Sequence, residues 1–132
     1  MSLSPAAAVA QDPDLALYAA QQCRCQYCGF DGSRSEQDWL QLQLDHLIPR
    51  HIASDDHLNL IVSCYYCNAI KRQFNPAAPG IHRILTPEQQ QALLAVARDE
   101  IARRKQALWA ERQGVSASFA LLRQQLADTE TV

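Results

Sequence analysis

Hydrophobic and polar residues alternate in the segment Trp39–His46, WLQLQLDH. Leu40, Leu42 and Leu44 fall on one face of an extended chain, and the two glutamines and Asp45 fall on the other. A period of two residues is typical of a strand with one face buried. The pattern therefore predicts a half-buried strand that ends near Pro49, which cannot donate a hydrogen bond to a sheet.

Other short elements are predicted around this strand. Asp12 or Asp14 can cap an N-terminal helix with Pro13 in its first turn. Residues 31–38 are polar and predict a loop, as do residues 47–58, and residues 58–62 predict a second short strand. A helix is predicted from Cys64 to Phe74, where the following Asn-Pro pair would stop it.

The C-terminal third of the chain predicts two helices. The sequence TPEQ at residues 86–89 combines an N-cap Thr, a Pro at the first position and a Gln that can complete a capping box. Gly114 predicts the end of this helix, and Ser116 predicts the cap of a last one. We therefore expect a single domain over residues 1–132, with a core at 23–75 and a helical extension at 86–127.

Composition narrows the class of protein only slightly. The chain has 132 residues, of which 48% are hydrophobic and 20% charged, as in ordinary soluble domains. The N-terminal segment has no basic residue before its apolar part, so we expect no secretory signal and a reducing, cytoplasmic location. No apolar run is long enough to predict a contact with membrane. The net charge of −2 argues mildly against a nonspecific coat for nucleic acid.

Four of the five cysteines form two C-x2-C pairs, Cys25 with Cys28 and Cys64 with Cys67. In a reducing compartment such pairs favour metal binding over disulfides, and four thiolates are a common set of ligands for structural zinc. Cys23 is an alternative first ligand, but its spacing to Cys28 does not match the second pair. A redox-active dithiol is the competing interpretation.

The motifs CQYCG, LDHLIP, LNL and CYYCNAIK follow one another between Cys25 and Phe74. Together they resemble the HNH endonuclease family, in the zinc-stabilised form with two C-x2-C pairs. The resemblance implies an α+β fold with a ββα-metal centre, in which two antiparallel strands and a helix surround a divalent ion. The N-terminal helix and the two C-terminal helices would flank it. The implied activity is metal-dependent hydrolysis of DNA to 3′-hydroxyl and 5′-phosphate ends.

The resemblance also implies a role for each residue at a matching position. His46 would act as the general base on water, and Asp45 and Asn68 would hold a catalytic Mg²⁺ or Mn²⁺. Asn59 would hold the loop that aims His46. Lys71 matches a basic residue of the family, and Lys71 or Arg72 could contact a phosphate beside the cleaved bond.

The chemistry of phosphodiester hydrolysis asks for the same residue types. A neutral imidazole can take a proton from water near pH 7. Mg²⁺ prefers oxygen ligands, whereas thiolates are soft ligands that suit zinc. Strict alternation would place Asp45 and His46 on opposite faces, so both can meet one ion only if the strand ends or bulges there.

Several features remain open at this point. Many family members have a Gly pair after the Pro, where this chain has residues 50–54, RHIAS. We expect His51 and His57 to be plain surface histidines, and Asp55 and Asp56 to face away from a phosphate that they would repel. The basic residues of the C-terminal helices predict a solvated face, with a DNA contact or a homodimer contact as alternatives. A catalytically inactive zinc module that binds nucleic acid or protein is the competing function.

Overall fold

A computed structural model describes residues 11–53 and 55–130 of the chain. The elements, in chain order, are α1 (Pro13–Ala20), α2 (Glu36–Trp39), β1 (Leu42–His46), a 3-10 turn (His57–Asn59), β2 (Leu60–Cys64), α3 (Tyr65–Lys71) and α4 (Pro87–Glu130). The N-terminal leader before Gln11, Ser54 and residues 131–132 lie outside the described residues. The architecture is α+β, and β1, β2 and α3 follow one another in the expected ββα order.

Strand β1 pairs with β2 in one unbroken antiparallel register, from Leu42 opposite Cys64 to His46 opposite Leu60. The strand ends at His46, near the predicted end, but the pairing has no bulge between Asp45 and His46. Since successive side chains of a strand point to opposite faces, these two residues serve different sides of the hairpin. Both sides are covered, and Asp45, predicted on the polar face, is 9% exposed.

The local signals at the start of helices are mostly confirmed. The Asp12 carboxylate accepts hydrogen bonds from the amides of Asp14 and Leu15 and caps α1. The predicted loop at residues 31–38 instead contains the start of α2, because the Ser35 hydroxyl accepts from the Asp38 amide at 3.0 Å. Helix α3 ends at Lys71, earlier than predicted.

The core lies beneath the loop that follows β1. Leu47 and Ile48 are fully buried, directly after the last strand residue. They pack in one cluster with Cys64 and Cys67, with Ile61 of β2 and with the first turns of α4. The members of α4 in this cluster are Leu93, Leu94, Ala97 and Ile101.

The chain divides into two units, Met1–Ile101 and Ala102–Val132. The sequence predicted a single domain with a helical extension that starts at residue 86. The helix does begin near there, and the Gln89 amide donates to the Thr86 hydroxyl at 3.1 Å. Its first turns, however, belong to the first unit, where the Arg98 Nε donates to the Gln26 carbonyl at 2.6 Å.

Helix α4 is one continuous element, so the predicted break at Gly114 and new start at Ser116 are wrong. An internal Gly costs a helix only about 1 kcal/mol relative to Ala. The flanking residues include many strong helix formers, which outweigh that cost. The Ser118 hydroxyl donates to the Gly114 carbonyl at 3.0 Å. None of the described helices is long and apolar enough to cross a membrane.

Candidate metal centre and catalytic site

The two C-x2-C pairs come together at one point of the first unit. The sulfur atoms of Cys25, Cys28, Cys64 and Cys67 all lie within 4.8 Å of one another. Tetrahedral zinc with Zn–S bonds of about 2.3 Å requires sulfur atoms roughly 3.8 Å apart, so the cluster is of the right size. The Sγ atoms of Cys28 and Cys64 are 3.7 Å apart. Cys23, the alternative ligand, is not part of the cluster.

Each pair is shaped by its own backbone. In the first, the Gly29 amide donates to the Cys25 carbonyl at 2.8 Å, and Gly29 has φ +82°, which favours glycine. In the second, Cys64 is the N-cap of α3, and its sulfur accepts from the Cys67 amide at 3.3 Å. The same residue thus ends β2, begins α3 and contributes a sulfur ligand.

The thiols of this cluster cannot all ionise without a cation. Hydrogen bonds from the thiols of Cys64 and Cys67 lower the pKa of Cys25. The neighbouring Cys25 in turn raises the pKa of Cys64 to about 11. A divalent ion among the four sulfurs would offset the repulsion between neighbouring thiolates, because each thiolate would then face positive charge. The cluster therefore fits structural zinc.

The segment around the first C-x2-C pair is fixed to β2 by two glutamines that the sequence pattern does not single out. The Gln21 carboxamide donates to the Leu60 carbonyl at 2.9 Å and accepts from the Val62 amide at 2.7 Å. The Gln26 amide donates to the Val62 carbonyl at 2.8 Å. These contacts tie the zinc cluster to the hairpin that carries Asp45 and His46.

Asp45 lies on the α3 side of the hairpin, in a buried charged cluster. Its Oδ2 accepts from the Tyr27 hydroxyl at 2.6 Å and lies 3.2 Å from Lys71 Nζ. Burial, together with the Asp45 carboxylate, raises the pKa of Tyr27 well above its usual value, so the hydroxyl remains a donor. Tyr27 lies inside the first C-x2-C pair and was missed because that position has no fixed residue type.

Lys71 is 1% exposed, and its Nζ also donates to the His46 carbonyl at 3.0 Å. The ammonium group is buried against these two acceptors, so the structure lends no support to the predicted contact with a phosphate. Lys71 instead links two neighbouring residues of β1, because its Nζ contacts the side chain of Asp45 and the backbone carbonyl of His46.

Asn68 lies on α3 between Cys67 and Lys71, and its side chain is half-buried. Residues three apart on a helix share a face, so Asn68 lies one turn before the residue that reaches Asp45. The carboxylate of Asp45 and the carboxamide of Asn68 supply oxygen donors of the kind that Mg²⁺ prefers.

His46 lies on the other face of the hairpin, where its side chain is 22% exposed. Its Nε2 is 2.6 Å from Asp55 Oδ1. The expectation that Asp55 faces away is therefore wrong, whereas Asp56 does face elsewhere and pairs with Arg83 at 3.1 Å. The hydrogen bond with His46 lowers the pKa of Asp55, which is ionised at neutral pH.

Asn59 fastens the loop that follows His46. The Asn59 Oδ1 accepts from the Ile48 amide at 2.7 Å, and its Nδ2 donates to the Ile48 carbonyl at 2.9 Å. The Asn59 carbonyl also accepts from the Leu47 amide at 2.9 Å. Asn59 is 1% exposed, and its side chain holds the backbone two residues beyond His46, while its own backbone holds the residue between them.

A groove of about 720 Å³ opens on the His46 side of the hairpin. Residues of α1 line it, apolar except for Asp14, together with Leu44 and Leu60 of the two strands. Its polar lining includes His46, Arg50, Asp55 and His57. His51 and His57 are both exposed, as expected, but His57 borders the groove.

Comparison with protein families gives one match, between residues 25–74 and the family model described as HNH endonuclease. The matched residues run from the first zinc-pair cysteine to the residue predicted to end α3, so they include the cysteine cluster, Asp45, His46, Asn59 and Asn68. Neither the curated proteins nor the solved structures contain a significant match.

Proposed function

We propose that this protein is a metal-dependent endonuclease that hydrolyses phosphodiester bonds of DNA. The family match of residues 25–74 supports a nuclease-type domain. The observation that carries the activity itself is the setting of His46. Its imidazole borders a groove, one ring nitrogen is held by Asp55, and the following loop is fastened by Asn59. An imidazole held in this way is suited to act as a general base.

In the proposed reaction, the free ring nitrogen of His46 takes a proton from a water molecule. The water oxygen forms a bond to phosphorus, and the bond from phosphorus to the 3′ oxygen breaks. The departing oxygen takes a proton from solvent, which leaves 3′-hydroxyl and 5′-phosphate ends. Asn59 contributes by keeping the loop, and hence the imidazole, in one position.

Asp45 and Asn68 would hold the catalytic divalent ion through one carboxylate and one carboxamide oxygen. When bound there, Mg²⁺ or Mn²⁺ supplies positive charge to the phosphate and the departing oxygen. Both Tyr27 and Lys71 contact the same oxygen of Asp45, Oδ2, so Oδ1 is the oxygen we assign to the ion. The donor types therefore fit the group that the family implies.

Asp45 and His46 are neighbours at the end of β1, but their side chains point to two faces of the hairpin. The reaction needs the base and the ion at one phosphate, so the proposal requires that the phosphate reach both side chains around the end of this strand.

A catalytically inactive zinc module is the alternative, and one observation favours it. The Asp45 carboxylate is 9% exposed and already neutralised by Lys71, so the fold does not need an ion there to balance its charge. This alternative predicts that the protein binds nucleic acid or protein without cleaving DNA.

Cleavage of supercoiled plasmid in the presence of Mg²⁺ or Mn²⁺ tests the two functions. We expect His46→Ala to lower the rate by a factor of about 10² to 10⁴, the usual contribution of a general base. His82→Ala is the matched control, since it removes an exposed histidine outside the matched residues and should cut at the wild-type rate. Zinc-loaded wild-type protein that shows no cleavage with either metal would support the inactive module.

We propose DNA as the partner and the cytoplasm as the location, and a homodimer through α4 as the assembly. In the second unit, Val115, Phe119, Leu122 and Leu126 recur at alternating intervals of four and three residues, and all four are exposed. This spacing is typical of a coiled-coil seam. Light scattering of wild type and Phe119→Glu tests the proposal, which predicts that only the variant is monomeric.

A further inference from the structure

We infer that Asp55 is a positioning residue for His46, and that it selects the ring nitrogen that acts as the base. The inference rests on the proposed function and adds a residue that none of the four motifs contains. Asp55 lies in the loop between the strands, nine residues after His46, and borders the same groove.

The direction of the hydrogen bond follows from the chemistry of its two partners. An ionised carboxylate can only accept hydrogen bonds. At 2.6 Å, Asp55 Oδ1 must therefore accept from His46 Nε2–H, so the proton of the neutral imidazole is on Nε2. The lone pair is then on Nδ1, which is the nitrogen left to take a proton from water.

The bond also fixes the plane of the imidazole ring. Backbone contacts hold the strand on which His46 sits, through Leu60 across the hairpin and Lys71 Nζ beneath the carbonyl. Those contacts leave rotation about the side-chain bonds free. The hydrogen bond to Asp55 removes that freedom, and Arg50 Nε lies 3.9 Å from the same Asp55 oxygen.

Asp56 offers a matched comparison, because the two acids are adjacent in sequence but contact different partners. The Asp56 Oδ1 accepts from the Leu58 amide and its Oδ2 accepts from Arg83 Nε, and an Asn can keep the first of these bonds. Asp55→Asn and Asp56→Asn therefore remove one charge each by the same chemical change. Only the first alters the group bonded to His46 Nε2.

For Asp55→Asn we expect kcat to fall about tenfold to a hundredfold with KM unchanged, because a carboxamide can donate to Nε2 and so favour the wrong tautomer. The fall should be smaller than for loss of the base, since the Asp55 side chain is 61% exposed. Asp56→Asn should retain the wild-type kcat. Asp55→Glu should restore part of it, because a carboxylate again accepts from Nε2.

Nitrogen-15 NMR of His46 in the zinc-loaded protein, at a pH where the imidazole is neutral, reads the tautomer directly and needs no activity. Wild type and Asp56→Asn should show Nε2–H, and Asp55→Asn should shift population to Nδ1–H. The inference is overturned if Asp55→Asn has the wild-type kcat, or if its tautomer matches that of wild type. If wild type does not cleave DNA at all, the proposed function fails, and the tautomer alone decides the role of Asp55.

Discussion

Replacing Lys71 by Met would test how much the buried ion pair with Asp45 stabilises the first unit. Lys71 is 1% exposed and Asp45 is 9% exposed. The substitution removes the contact of 3.2 Å with Asp45 and the hydrogen bond of 3.0 Å to the His46 carbonyl. Met retains an unbranched, flexible side chain, so the loss of packing is small. The variant therefore reports mainly on charge.

The expected loss is about 3 kcal/mol in the free energy of unfolding, at the lower end of the 3–5 kcal/mol typical when one partner of a buried pair is removed. The lower end applies because the Tyr27 hydroxyl still donates to the stranded carboxylate. Adding Asp45→Asn removes that charge, so the double variant should recover about 2 kcal/mol relative to Lys71→Met.

Guanidinium unfolding at a fixed concentration of free zinc measures these differences, because zinc binding is itself part of the stability. Trp39 is a reporter of the first unit, since its ring lies 4.8 Å from that of Tyr18. The chain has two tryptophans, so adding Trp109→Phe to every variant leaves Trp39 as the only one. A loss below 1 kcal/mol for Lys71→Met, or no recovery in the double variant, would refute the reasoning.

Three further predictions concern other parts of the chain. Cys64→Ser should release zinc and unfold the first unit, whereas His46→Ala should retain the zinc and the fold. Zinc content and thermal melts measure the difference. Equal melting temperatures for the two variants would contradict the separation of structural and catalytic roles. Asn59→Ala should cost about 2–4 kcal/mol in the same unfolding assay, since it leaves the buried amide and carbonyl of Ile48 without their partner. Gly114→Ala should stabilise α4 by about 1 kcal/mol, because the added methyl group meets no atom within 4 Å; a lower melting temperature by circular dichroism would oppose it.

The features that the sequence predicted well are those that depend on short spacing. Two C-x2-C pairs predicted a cluster because two residues of separation bring a pair of sulfurs together in one turn. The alternating leucines predicted β1, and Thr86 predicted the start of α4, because both signals act within a few residues. The helix end predicted at Gly114 was wrong, since the free-energy cost of one glycine in a helix is small against the helix preference of its neighbours.

The features that were missed depend on contacts between residues distant in sequence. Nothing in the pattern around Asp45 indicates that Tyr27 and Lys71 would enclose it. An alternating strand predicts a polar face in solvent, and the prediction fails where a helix covers that face. Likewise, the approach of Asp55 to His46 follows from the path of the loop between β1 and β2, which no short-range signal in the sequence specifies.

The placement of the catalytic residues depends on α3, which is only seven residues long. A helix this short is not stable alone in water, because nucleation of the first turn is unfavourable. Zinc bound by Cys64 and Cys67 at its start would therefore also order the helix that carries Asn68 and Lys71. Lys71 in turn joins Asp45 and the backbone of His46. Structural metal and candidate catalytic site are thus coupled through one turn of helix, and loss of zinc should disorder both faces of the hairpin together.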